Sequence, residues 1–314
     1  MKQNLKPLQD LRGIAILLVV LYHAEQPFSL SYFKHGGIGV SLFFMISGFI
    51  ISYTHSNDKG GIAALNFTAK RITRIYIPYI PIFTVIAAIF LVTNFGSEYH
   101  KNSYNIIKNL LLVQTPSQSI HPYAWSLVYE IFYYSSFCII VILLRVNVII
   151  YAIIIAAPAF IYINAETNGD QILISFQNFY FACGVLLGRY HHKIIREPRK
   201  FSSGISLIIF AILLNITSDD KYALFPLLLF FITYLYLNSS ALILNKIGTA
   251  SYSIYLTHAL IVPAVKYLPH QTSPHLFFIV TVLSSIFFGI LYSNYFELPI
   301  TRIAQNKINK IINF

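Results

Sequence analysis

Arg12 and His23 stand eleven positions apart in an otherwise apolar stretch, LRGIAILLVVLYHA. Imidazole titrates near neutral pH and serves as general base or nucleophile, while guanidinium forks onto phosphates and carboxylates. On a helix, eleven steps advance about 16 Å and about 1100°, roughly 20° past three full turns, so both side chains share one face. They are too far apart for an ion pair, yet one long ligand can touch both. A second set of ionisable residues falls in or beside other apolar stretches: Arg71 and Arg74, three apart and so neighbours on a helix, then Glu130, His258 and Glu297. An ionisable group inside a membrane is costly and is a functional candidate for that reason.

The elements that must position these residues are membrane spans. The 314-residue chain is 56% hydrophobic and only 11% charged, with a mean hydropathy of +0.65. A helix crossing a hydrocarbon core needs about 17 to 25 apolar residues. The sequence divides into ten such pieces, near 13–31, 38–54, 75–93, 124–144, 147–164, 172–190, 202–217, 222–237, 249–267 and 275–297. The fold expected is therefore all-α, a polytopic membrane protein of about ten transmembrane helices in a single domain over 1–314. The longest connections are 55–74 and 94–123. The first span lacks a small-residue cleavage site after it and reads as a mature anchor rather than a signal peptide.

Charge fixes the orientation expected. With the N-terminus inside, 17 of the 22 lysines and arginines fall on cytoplasmic segments or helix ends. Both termini are then cytoplasmic, in the bacterial inner membrane. The net charge of +11 faces anionic membrane lipids over many short loops and gives no reason to expect nucleic acid. Cys138 and Cys183 fall inside expected helices, where cysteine is a small packing residue. Gly184 and Gly188 have the spacing of close helix approach in lipid. His35, His55, His121, His191 and His192 fall in loops without paired ligand spacing, so no metal is expected.

On this topology Arg12 sits at the inner surface, and His23, Glu130 and His258 approach a common depth near the midplane. Arg12, Arg71 and Arg74 form an inner cationic patch that Glu297 can close. A phosphate-binding entrance joined along one helix face to a midplane imidazole suits a phosphorylated carrier with a long arm, such as an acyl-coenzyme A. The competing reading is a transporter or flippase of an envelope precursor, because intramembrane His and Glu also form proton relays. No inverted repeat is visible to support it.

These motifs resemble those of the integral-membrane acyltransferase 3 family, which O-acylates cell-envelope glycans. Arg12 and His23 fit its R-x10-H signature, and VSLFFMISGFIIS is similar to its second helix. Arg71-x-x-Arg74 resembles its RxxR pair. WSLVYEIFYY resembles a segment that places Trp125, Ser126, Glu130, Phe132 or Tyr133, and Tyr134. GTASYSIYLTH, ending at His258, and FELP, beginning at Phe296 and carrying Glu297, resemble its later motifs.

The resemblance implies an acyl group, most simply acetyl, passing from acetyl-CoA or another acyl-CoA to a hydroxyl of O-antigen, exopolysaccharide or a lipid-linked saccharide. It implies a catalytic His23 and arginines that hold the coenzyme. His23 is then the general base, with Glu130 orienting its ring, or a nucleophile in an acyl-histidine relay. Trp125, Ser126, Tyr133, His258 and Glu297 are supporting candidates, each also explicable by anchoring or packing. The chain resembles the stand-alone kind, without a fused soluble domain.

Overall fold

A computed structural model describes residues 6–28, 30, 32–93, 95–159, 171–194, 231, 241–266 and 273–312. Among the described residues it is entirely helical, with no strand. The helices are α1 (Lys6–Glu25), α2 (Ile38–His55), α3 (Gly61–Val92), α4 (Glu98–Lys101), α5 (Ser103–Leu110), α6 (Trp125–Phe137), α7 (Val148–Ala156), α8 (Gln177–Ile194), α9 (Leu242–Thr249), α10 (Ser251–Lys266), α11 (Pro274–Tyr292) and α12 (Leu298–Ile312). Two π-helical turns interrupt the regular pattern, Cys138–Leu143 after α6 and Ser293–Glu297 between α11 and α12.

Five described helical segments are long and apolar enough to cross a membrane: Lys6–Phe28, Ile38–His55, Gly61–Val92, Trp125–Leu143 and Pro274–Ile312. The expected spans at 202–217 and 222–237 lie outside the described residues, apart from Phe231. Several boundaries differ from the sequence expectation. α1 starts at Lys6 and ends at Glu25 rather than running 13–31. The helix expected at 75–93 already begins at Gly61, because the basic and polar residues that lower hydropathy over 61–74 do not interrupt a helix. The 249–267 span corresponds to α10, which starts at Ser251 just after α9 ends at Thr249, and the last span runs on past Glu297 into α12.

The chain forms two compact units, one of residues 1–56, 148–165 and 173–251, the other of 57–147, 166–172 and 252–314. In the first, α2 lies against α8 at very short range. A Cβ placed on Gly184 would come 2.0 Å from the Met45 carbonyl oxygen, and one on Gly48 2.2 Å from that of Phe181. Only glycine admits this backbone approach, the usual device for helix association in lipid. Ser41 Oγ donates to Gln177 Oε1 across the same pair at 3.1 Å. His191, expected in a loop, lies in α8, buried edge-on to the rings of Phe49 and Tyr53.

α3 is the spine of the second unit, and its first half runs antiparallel to α6. Gly60 N–H donates to Ile142 O at 3.0 Å, and Thr68 Oγ1 lies 3.4 Å from Cys138 Sγ. The Phe67 ring stands 5.6 Å from that of Phe137 and 6.3 Å from that of Tyr134. This register brings 71 and 74 of α3 alongside 134 and 130 of α6. Tyr252 and Tyr292 donate to the Ile75 and Pro78 carbonyls of α3 at 3.1 and 2.9 Å. A tyrosine hydroxyl in an apolar setting needs such a partner.

The 94–123 connection is built around Asn109, which is 0% exposed. Its Nδ2 donates to the Asn105 and Gln118 carbonyls at 2.9 and 3.1 Å, and its Oδ1 accepts from Ile120 N–H at 2.7 Å. Tyr79 Oη donates to the Asn109 carbonyl at 2.8 Å, fastening the connection to α3.

Candidate active site

In the first unit, α1 carries Arg12 and His23 without a break between them. The single-face geometry read from their spacing therefore holds. Arg12 is buried, with Nη1 3.4 Å from Gln9 Oε1. His23 is half-buried, its ring centroid 5.2 Å from that of Tyr22. The earlier start and end of α1 move both residues relative to the helix: Arg12 stands in the second turn and His23 in the last, not near the middle. Each has a buried acid two positions away that the sequence reading passed over. Asp10 Oδ2 accepts from the N–H of Ala241, the residue that caps α9, at 2.8 Å, which places a carboxylate at that helix's N-terminus. Glu25 Oε2 accepts from Phe33 N–H at 2.8 Å and fixes the chain where it leaves α1.

In the second unit, Arg71, Arg74, Glu130 and Glu297 come together. Glu130 Oε1 accepts from the hydroxyl of Tyr134, one turn further along α6. The Arg71 guanidinium carbon lies 5.4 Å from the Phe67 ring centre and 5.2 Å from that of Tyr134. Guanidinium packs well against aromatic faces, which hold it without neutralising it. Arg74 is attracted by both Glu130 and Glu297. Glu297 sits in the π-helical turn, and its Oε2 accepts from Ser253 Oγ at 2.5 Å. Two arginines thus meet two glutamates in one charge cluster. Beside it an open cavity of about 180 Å³ is lined by Phe67, Thr68, Arg71, Tyr76, Tyr134 and Ser135, among others. It is smaller than a typical whole-ligand pocket of roughly 300–1,000 Å³ and suits an anion with a short attached segment.

The remaining candidates form a different group. His258 is 0% exposed and stacks on Tyr123 at 4.4 Å with an interplanar angle of 8°. Tyr255 Oη donates its one proton to the Tyr123 carbonyl at 2.5 Å, so Ser126 Oγ, 2.7 Å away, is the donor in that contact. His121 accepts from Tyr123 N–H at Nδ1 (3.3 Å), which leaves Nε2–H to donate to the Leu256 carbonyl at 3.2 Å. Burial pushes the His121 imidazole down to about 4, so it is held neutral. Trp125 opens α6 with its ring 6.0 Å from that of Tyr129, and Tyr133 is fully buried within the same aromatic run. Together these contacts tie the start of α6 to α10. Among the described residues no group of His, Cys, Asp and Glu is arranged to hold a metal.

A family model described as "Acyltransferase domain", that of the acyltransferase 3 family, matches residues 10–294, which holds every candidate but Glu297. The chain belongs to the acyltransferase 3 family. Proteins of Staphylococcus aureus strains COL, MW2 and N315, each named "Putative O-acetyltransferase", are 24% identical to it over 96% of its length. The chain spans 58% of the length of these curated relatives. No solved structure is significantly similar to it.

Two members of the acyltransferase-domain cluster were poorly marked in the sequence. Tyr134 is legible as the i+4 neighbour of Glu130. Ser253 and Tyr252 approach Glu297 and Arg74 only through the packing of α10.

Proposed function

We propose that the chain transfers an acyl group, most simply acetyl, from acyl-CoA to a hydroxyl of a cell-envelope glycan, in the bacterial inner membrane with both termini cytoplasmic. The observation that carries this reading is the unbroken α1, which sets a buried guanidinium and a half-buried imidazole on one face about 16 Å apart. That distance suits a donor whose phosphates and thioester are joined by an extended arm. Membership in the acyltransferase 3 family and the O-acetyltransferase names of the relatives support it.

In this mechanism neutral His23 takes the proton of the acceptor hydroxyl as its oxygen attacks the thioester carbonyl. The C–O bond forms, the C–S bond breaks, and the imidazolium returns the proton to the departing thiolate. Arg12, on the same helix as His23, binds the donor's phosphates. Arg74 holds Glu130 and Glu297 in place and keeps the Tyr134 hydroxyl directed at Glu130, which leaves the Arg71 guanidinium beside the cavity for a ligand. In this reading Glu130 serves the arginine cluster.

The test uses membranes carrying the full chain, acetyl-CoA labelled in its acetyl group, and envelope glycan as acceptor. Label reaches the glycan with the native chain and not with His23→Ala. Equal labelling by both would overturn the reading. Label retained on the native chain after a single turnover without acceptor would replace the general base by an acyl-enzyme relay.

A further inference from the structure

The last helical segment outlasts the membrane. α11, the π-helical turn and α12 form one run of 39 residues, Pro274–Ile312. At about 1.5 Å per residue it extends roughly 58 Å, nearly twice the roughly 30 Å of a hydrocarbon core. α12 therefore belongs to the headgroup region or beyond. It is amphipathic and has no acidic residue, while carrying Arg302, Lys307 and Lys310. The helix packs on α3, and Ala304 and Ile308 on one side of it are half-buried.

The other side is unusual for a surface facing water. Ile300, Ile303 and Ile311 are 38%, 58% and 75% exposed, and at helical spacing they share a stripe with Lys307 and Lys310. Isoleucines interleaved with lysines match the boundary between acyl chains and phosphates, where an apolar stem is covered and the ammonium reaches outward. Continuity with a membrane-spanning helix holds this stripe at that boundary, which favours a lipid surface over an acidic protein.

We propose that the outward face of α12 docks onto anionic phospholipid headgroups at the leaflet surface where the helix emerges. The isoleucines enter the headgroup–acyl boundary, and Lys307 and Lys310 bind lipid phosphates.

The experiment uses the full chain with Cys138→Ala and Cys183→Ala and one cysteine, Ile303→Cys or Ile311→Cys, labelled with an environment-sensitive bimane. The protein is placed in nanodiscs of phosphatidylcholine alone or enriched in phosphatidylglycerol. With phosphatidylglycerol, emission shifts to the blue and iodide quenching weakens at both sites. High salt or Lys307→Glu with Lys310→Glu reverses this, since each lysine contributes about fivefold to partition. A label at Gln305→Cys, on the half-buried side, stays unchanged and reports an intact helix. Water-like emission in both nanodiscs, or a blue shift indifferent to lipid charge and to the lysine variants, overturns the proposal.

Discussion

Two regions hold histidines in very different states. His121 and His258 are 0% exposed, each with a ring nitrogen on a backbone carbonyl, and His258 is stacked flat on Tyr123. His23 is half-buried in the last turn of α1. The His121 hydrogen bond to Leu256 ties the approach to α6 onto α10, while that of His258 goes to Ile254 one turn back in α10 itself. An imidazole in that condition exchanges a proton with a substrate only if its surroundings open, whereas His23 is only half-buried. The arginines divide in a parallel way. Arg74 is attracted by two carboxylates, while Arg71, attracted by Glu130 alone, also packs on two aromatic rings beside a cavity.

The largest effect that sharpens this contrast is on His23. Replacing a general base costs about 10²- to 10⁴-fold in rate, so His23→Ala should abolish measurable acyl transfer while leaving the thermal unfolding of the purified protein nearly unchanged. His258→Ala should do the reverse, lowering the unfolding temperature while the folded fraction keeps its turnover.

The next effect is on pH. His121 has a folded-state pKa lowered to about 4 from 6.5, so its neutral form favours the fold. The associated stability is complete above about pH 6.5 and is lost as the pH falls toward 4, at up to about 1.4 kcal/mol per pH unit. Unfolding temperatures measured across this range should drop on the acid side, and His121→Gln should flatten the curve.

Within the charge cluster, Glu130→Gln leaves the arginines short of a counter-charge. For these half-buried groups we expect about 1–3 kcal/mol of destabilisation, below the 3–5 typical of a fully buried pair. Adding Arg74→Gln should then cost less than it does alone, a coupling read from a double-mutant cycle of unfolding midpoints. Additive losses would show that the two do not interact. The smallest effect is Arg71→Lys, which keeps the charge and loses the planar packing on Phe67 and Tyr134. A rise of about tenfold in KM for acetyl-CoA, roughly 1.4 kcal/mol, with little change in kcat would mark Arg71 as donor-binding.

What the sequence disclosed follows from the physics of each feature. Hydropathy located α2, and α6 together with its π-helical turn, within one residue at each end, since apolar residues dominate both segments. It misplaced the start of α3, because Asn66, Thr68, Lys70, Arg71 and Arg74 read as a loop although Ala64, Phe67 and Ile75 form a buried stripe at helical spacing. Apolar runs report where lipid is, not where a helix begins. Spacing on one helix was legible, as for Arg12 with His23 and Glu130 with Tyr134. Pairings between helices, such as Ser253 with Glu297, depend on packing that no single segment encodes. Asn109 gave no signal because its importance lies in three backbone partners of its side chain and a tyrosine hydroxyl on its carbonyl, all supplied by the fold.

The most direct measurement of the central claim is transfer of labelled acetyl from acetyl-CoA to envelope glycan in membranes bearing the native chain, His23→Ala or His258→Ala, each normalised to folded protein. Full transfer is expected for the native chain and for His258→Ala, and none for His23→Ala. Transfer that survives in His23→Ala and disappears in His258→Ala would contradict that claim.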